Sequence, residues 1–102
     1  MSDCIFCKLK DTLPSEAIVY KDEYCYAIND INPKAKHHIL VIPLEHVESL
    51  NDVQDTMLIK YMFDAIKKIV KKENITDFKT LINTGKGAGQ EVFHLHIHIL
   101  AD

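Results

Sequence analysis

Residues 91–100, Glu-Val-Phe-His-Leu-His-Ile-His-Ile-Leu, constrain this chain more than any other stretch. Three histidines alternate with apolar residues. Successive side chains of a strand point to opposite faces. A strand here puts His94, His96 and His98 on one face and Phe93, Leu95, Ile97 and Ile99 on the other. The apolar face needs a core against it, which leaves the histidine face for something polar. Residues two apart in a strand are separated by about 6.6 Å and residues four apart by about 13 Å. Zinc holds imidazole nitrogens at roughly 2.0–2.1 Å, so one metal on all three would need severe distortion. Division of labour is the better reading: one nucleophile or base, flanked by helpers. Neutral imidazole is nucleophilic at physiological pH and suits covalent catalysis. The bland alternative is a polar face turned to solvent. The concentration of titratable groups behind a glycine-rich loop argues against it.

The 102 residues fit one domain with one modest core, spanning residues 1–102. A net charge of −3 argues against a nucleic-acid partner. There is no arginine, so a bound phosphate cannot use a guanidinium fork and must rely on N–H groups, imidazoles, hydroxyls or lysine. Met1-Ser2-Asp3-Cys4 lacks the basic start and apolar run of a signal peptide, and no stretch approaches membrane-spanning length. Three cysteines, two of them in Cys4-Ile5-Phe6-Cys7, suit a reducing cytoplasm and a metal or redox role. Redox chemistry of the thioredoxin type wants a strand before the motif. Zinc with distant histidines is favoured, and two packed core cysteines remain an alternative.

Ala17–Tyr20 and residues 24–29 read as an antiparallel hairpin, broken by Asp30-Ile31-Asn32-Pro33. Asp30 at a strand end could accept sugar hydroxyls, but local turn chemistry explains it equally. Residues 38–42 form an unbroken apolar run, a strand buried on both faces and closed by Pro43. His46 follows in a loop; taken singly it reads as a surface residue, and the C-x-x-C makes it a candidate ligand. Asn51-Asp52-Val53-Gln54 looks like a capping box. Behind it, residues 53–72 carry an apolar stripe at helical spacing, with lysines gathered at the C-terminal end. Residues 78–83 are a further strand candidate. The loop with Gly85, Gly87 and Gly89 is not a P-loop, since a strand and not a helix follows, but its glycines could form an anion-binding nest. Short strands around one long helix give an α+β fold with a mainly antiparallel sheet.

The run His94-Leu95-His96-Ile97-His98-Ile99-Leu100 resembles the signature of the histidine triad family, and its Hint branch in particular. Cys4-Ile5-Phe6-Cys7-Lys8, Ala27-Ile28-Asn29-Asp30-Ile31-Asn32-Pro33, His38-Ile39-Leu40-Val41-Ile42-Pro43 and residues 83–93 extend the resemblance over nearly the whole chain. It implies a five-stranded, mainly antiparallel sheet with one long helix and a short N-terminal helix, the sheet continuing across a homodimer. It implies a purine nucleoside phosphoramidase that works at the α-phosphorus through a nucleotidyl-His96 intermediate. His98 matches the histidine on the phosphate and leaving atom, His94 the residue whose carbonyl orients the nucleophile, and His38 a supporting histidine. Asn83, Gly89, Gln90, Glu91 and Val92 match the phosphate side of the site. Asp30 matches the ribose-binding acid, and Ile5, Phe6, Leu9, Ile28 and Ile31 the wall around the base. Some relatives hold a structural zinc on positions that are Cys4, Cys7, His46 and His94 here; the chemistry itself needs no cofactor. Two alternatives use the same residues: a dinucleoside polyphosphate hydrolase, and a zinc-containing nucleotide-binding module without turnover. The resemblance implies no membrane partner.

Overall fold

The structure, a computed structural model, describes residues 4–102; residues 1–3, on which the expectation about a signal peptide partly fell, lie outside the described residues. The elements are α1 (Ile5–Thr12), β1 (Ile18–Lys21), β2 (Cys25–Asn29), β3 (His37–Pro43), α2 (Met57–Lys72), β4 (Lys79–Leu81) and β5 (Ile97–Ala101). The strands form one sheet in the order β1-β2-β3-β5-β4, with every pairing antiparallel. This is the α+β architecture expected.

An apolar run belongs in the middle of a sheet, and β3 is there. Ile39 and Val41 face one core, where Met62, Ala65, Ile66 and Ile69 of α2 pack with Leu95, Ile97 and Ile99. Leu40 and Ile42 face a second, smaller core with Phe6, Tyr26 and Ile28. Each buried Ile or Leu contributes roughly 1.5–3 kcal/mol, so the larger core holds the sheet to α2. The smaller one holds α1 and forms the floor of the site. α2 buries positions at the spacing of one helical face. Lys72 Nζ at its C-terminal end donates to the Val19 carbonyl, tying the helix to β1.

Three expectations need correction. The histidine strand is shorter than residues 91–100: β5 begins at Ile97, and His94 and His96 precede it. The cause is Pro43. The β3–β5 ladder runs from His37↔Ala101 to Val41↔Ile97, and the next inward position on β3 is a proline without an N–H to donate. The Pro43 carbonyl goes to His94 Nε2 at 2.8 Å, while Leu95 N donates to Val47 O at 2.7 Å. The alternation survives for Leu95, Ile97 and Ile99, but Phe93 is 45% exposed and not in the core. The long helix starts at Met57, not near residue 53. Asn51 caps nothing; Leu50–Asp52 is a 3-10 turn closed by Ser49 Oγ on Asp52, and Asp55 Oδ1 accepts the Met57 N–H. Finally, the strand sought over residues 78–83 pairs only over Lys79–Leu81.

Candidate functional site

A cavity of about 490 Å³ lies against the smaller core. Ile5, Phe6 and Leu9 from α1, with Ile28 and Ile31 from the end of β2 and its turn, supply its apolar wall. Its polar lining includes Asp30, His38, Asn83, Gly89, Glu91, His96 and His98, with Val92 beside them. Ile31 is 91% exposed at the rim, an apolar side chain with nothing over it. One side chain expected at the cavity lies elsewhere. Gln90 is buried beneath the glycine loop: its Oε1 accepts from Gly85 N (2.8 Å), and its Nε2 donates to the carbonyls of Glu48 (2.6 Å) and Val92 (3.0 Å). Both amide protons are used, so it clamps the loop. His94 turns away from the cavity toward Cys4 and Cys7.

The hydrogen-bond partners assign each imidazole. His96 Nδ1 lies 2.7 Å from the His94 carbonyl. A carbonyl only accepts, so Nδ1 carries the proton and Nε2 keeps its lone pair. His38 Nδ1 accepts the Lys34 N–H at 3.0 Å, so the His38 proton is on Nε2. That nitrogen is 2.8 Å from His98 Nδ1, which therefore accepts, and 3.4 Å from Asp30 Oδ2. The His98 proton is then on Nε2, a buried atom that has no partner among the described residues. An orphaned buried donor costs about 1–3 kcal/mol, and the ring that carries this one lies 5.0 Å from the His96 ring, centroid to centroid.

The electrostatics keep His96 and His98 neutral. Burial pushes His98 down to about 4, with the neighbouring His96 and His38 acting in the same direction. Burial also lowers His96, against the opposing pull of the His94 carbonyl. Asp30 shows the turn chemistry considered for it, with Oδ1 accepting the Asn32 N–H at 2.9 Å, and it also lines the cavity. The glycine loop is a 3-10 turn over Lys86–Ala88 between Gly85 (φ 90°) and Gly89 (φ 93°), conformations open to glycine. The Ala88, Gly89 and Gln90 N–H groups bond within the loop, so the open nest expected there is closed on itself.

Cys4, Cys7, His46 and His94 come together, their ligand atoms all within 4.8 Å of one another. Cys4 Sγ is 3.3 Å from His94 Nδ1, Cys7 Sγ 3.3 Å from His46 Nδ1, and the two Nδ1 atoms are 3.2 Å apart. Tetrahedral zinc bonds of about 2.3 Å to sulfur and about 2.0–2.1 Å to nitrogen put such pairs roughly 3.3–3.6 Å apart. The His94 Nε2–H is committed to Pro43, so its Nδ1 lone pair faces the two thiols, the tautomer a ligand needs. Burial and the adjacent Cys4 push the Cys7 thiol up, which favours its protonated form until a cation displaces the proton. The set fits a metal ion. Asp30, His38 and His98 also gather within 4.8 Å, but a 2.8 Å nitrogen pair with every proton assigned is a hydrogen bond, too short for two ligands of one ion.

Sequence reasoning missed Lys34, Leu81 and Leu100, which also line the cavity. Leu100 was legible, since it shares the parity of His96 and His98. Lys34 and Leu81 reach the cavity through tertiary placement alone. A wider cleft of about 760 Å³ lies between the loop after β3 and the start of α2. Its lining of Glu45, Glu48, Asp52 and Asp55 beside stacked Tyr24 and Tyr61 contains no activated nucleophile.

Residues 13–102 match the family model described as the HIT domain. The chain is 47% identical over 103 residues to protein HitA of Neisseria gonorrhoeae, covering 98% of this chain and 96% of that one. It is 40% identical over 98 residues to the adenosine 5′-monophosphoramidase of Saccharomyces cerevisiae, covering 95% of this chain and 61% of the yeast protein. Among solved structures, a histidine triad protein from Clostridium difficile superposes with a TM-score of 0.93 at 43% identity, covering 100% of this chain and 92% of that one. A HIT family hydrolase from Legionella pneumophila gives 0.89 at 34%, covering 97% and 92%.

Proposed function

The chain belongs to the histidine triad (HIT) family, and from that membership we propose that it hydrolyses purine nucleoside phosphoramidates at the α-phosphorus. The observation that carries the proposal is the state of His96: its Nδ1 proton is held by the His94 carbonyl at 2.7 Å, which leaves Nε2 bare at the cavity. Nε2 attacks phosphorus and forms the N–P bond of a nucleotidyl-His96 as the bond to the leaving nitrogen breaks. A proton taken up with the anionic substrate makes the His38–His98 pair cationic; the His98 Nε2–H then gives its proton to that nitrogen, so an amine departs and not an amide anion, and the pair returns to neutral. The cationic imidazole formed on His96 offsets the proton's departure. Water then attacks the intermediate, His98 takes a proton back, and the nucleotide leaves. The apolar wall from Ile5 to Ile31 takes the base, Asp30 the ribose hydroxyls, and the Asn83 side chain and Glu91 N–H the phosphate oxygens. His38 holds His98 in its tautomer.

We further propose that zinc fills the Cys4–Cys7–His46–His94 cluster as a structural ion, apart from the chemistry, and that two copies pair into a homodimer. The support for pairing is the free edge of β4, where Leu81 is 44% exposed and the neighbouring Phe78 38%. A cytoplasmic setting follows from the unpaired thiols; no helix among the described residues is long and apolar enough to cross a membrane.

The test is hydrolysis of adenosine 5′-phosphoramidate by the wild type and by His96→Ala, with excess chelator present. Turnover by the wild type alone supports the nucleophile and a metal-free reaction. Turnover by both removes His96 from the chemistry. Diadenosine triphosphate as a competing substrate separates this reading from dinucleoside polyphosphate hydrolysis.

A further inference from the structure

None of the four cluster residues lines the cavity, yet the cluster is the point at which three parts of the site are pinned. Cys4 is the N-cap of α1, its sulfur accepting from Cys7 N at 3.4 Å, and Cys7 lies in the first turn. His46 lies just past β3 and His94 just before β5. Phe6, between the two cysteines, packs edge-on to His94 with centroids at 5.9 Å and to His96 at 5.1 Å. Ile5, Phe6 and Leu9 of the same helix are three of the nine apolar residues that line the cavity.

α1 is poorly held without the cluster. It has eight residues and buries only Phe6, well under the length at which a helix is stable alone in water, about 12–15 residues. Its remaining ties are the packing of Phe6 and Leu9 on the smaller core, the Tyr26 hydroxyl on the Phe6 carbonyl and Lys10 Nζ on the Leu44 carbonyl. An ion joining two residues of its first turn to two histidines on the body of the sheet removes most of its freedom to swing away.

We propose that occupancy of the Cys4–Cys7–His46–His94 cluster by a zinc ion controls nucleotide affinity, by seating α1 and completing the apolar slot. The cluster is then a latch on substrate binding, remote from the reacting atoms. This rests on the reading that the cavity takes a purine nucleotide. Apparent affinity falls with the fraction of molecules whose slot is formed, so seating α1 in one molecule in ten weakens binding about tenfold.

The test compares the full chain loaded with zinc, the same chain stripped by chelator, and His46→Ala, which removes one donor while leaving α1 and its other ties unchanged. AMP binding is measured by calorimetry and amide hydrogen exchange by mass spectrometry. The expected result is a loss of AMP affinity of about tenfold or more, with faster exchange confined to α1 and residues 92–96, and recovery when zinc returns to the wild type. Equal AMP affinity with and without zinc overturns the latch. So does exchange that rises equally through β2, β3 and β5, which would make the ion a general stabiliser. AMP binding in neither state strikes the nucleotide reading instead; the exchange pattern then still decides whether zinc seats α1.

Discussion

His94 and His96 are two residues apart and opposite in use. His94 spends its Nε2 proton on the Pro43 carbonyl and offers Nδ1 to the thiols. His96 spends its Nδ1 proton on the carbonyl of His94 and offers Nε2 to the cavity. In the proposed reading one side chain serves as a ligand and the other as a nucleophile, and the difference lies in which nitrogen meets a backbone oxygen. Around His94 the nitrogens and sulfurs converge on one point with too few protons to separate them. Around His96 each N–H has an acceptor except that of His98, which faces the space where a leaving group would depart. Chemical role here is set by the acceptor behind the ring.

Substitutions should separate the two regions by what they damage. His96→Ala should give the largest effect on turnover, a loss of roughly a thousandfold or more, as when a covalent nucleophile is removed, with zinc content and thermal midpoint little changed. His98→Ala should lower kcat by about 10²–10⁴-fold for an amine leaving group, and much less for a phenolate that departs without a proton. That contrast, read in steady-state kinetics, tests His98 as the acid. His94→Ala should reverse the pattern. It removes a buried ring, a hydrogen bond and a metal donor, and should cost about 2–4 kcal/mol in urea unfolding, with loss of bound zinc by metal analysis. Retention of zinc by His94→Ala would end the division proposed between the two histidines.

Acid acts on both regions through burial. His94, His96 and His98 are all held below the ordinary histidine range, His98 at about 4. The unfolded chain binds protons near pH 6.5 that the folded chain refuses. Their contribution to stability is therefore complete above about pH 6.5 and is lost as pH falls toward 4. Urea midpoints measured with chelator near pH 7.5 and pH 5 should fall with acidification; a flat profile would count against the burial assigned to these rings. The smallest effect belongs to the cavity rim. Ile31→Ala should leave the thermal midpoint unchanged, within about 0.5 kcal/mol as for exposed sites, while raising KM several-fold.

Much of this was legible in sequence because it follows periodicity. Ile39–Ile42 reads as a strand apolar on both sides, and it is the strand between the two cores. Leu95, Ile97 and Ile99 alternate with His96 and His98 as a half-buried strand should. The metal ligand set was reached through resemblance and not spacing, since Cys7 and His46 meet only when α1 docks on the loop after β3. The Pro43–His94 bond was invisible: proline announces the end of a ladder, but not what takes its carbonyl. Gln90 illustrates the same limit. A glutamine beside a glycine loop looks like a substrate contact, and the destination of its amide is known only once Glu48 and Val92 are beside it.

The strand order has a consequence for how the protein is made. β5 follows β4 and α2 in sequence, yet lies between β3 and β4 in the sheet. The meander of β1, β2 and β3 needs only local pairing and can close early. β5 must join β3 across a span that includes all of α2, and ladders between distant segments form slowly. The bonds that sort the histidines, Pro43 to His94 and His38 to His98, form only at that step. A chain still emerging from the ribosome, or arrested with β1–β3 paired, carries every histidine of the site and none of its chemistry. The proposed activity would therefore report that folding has finished.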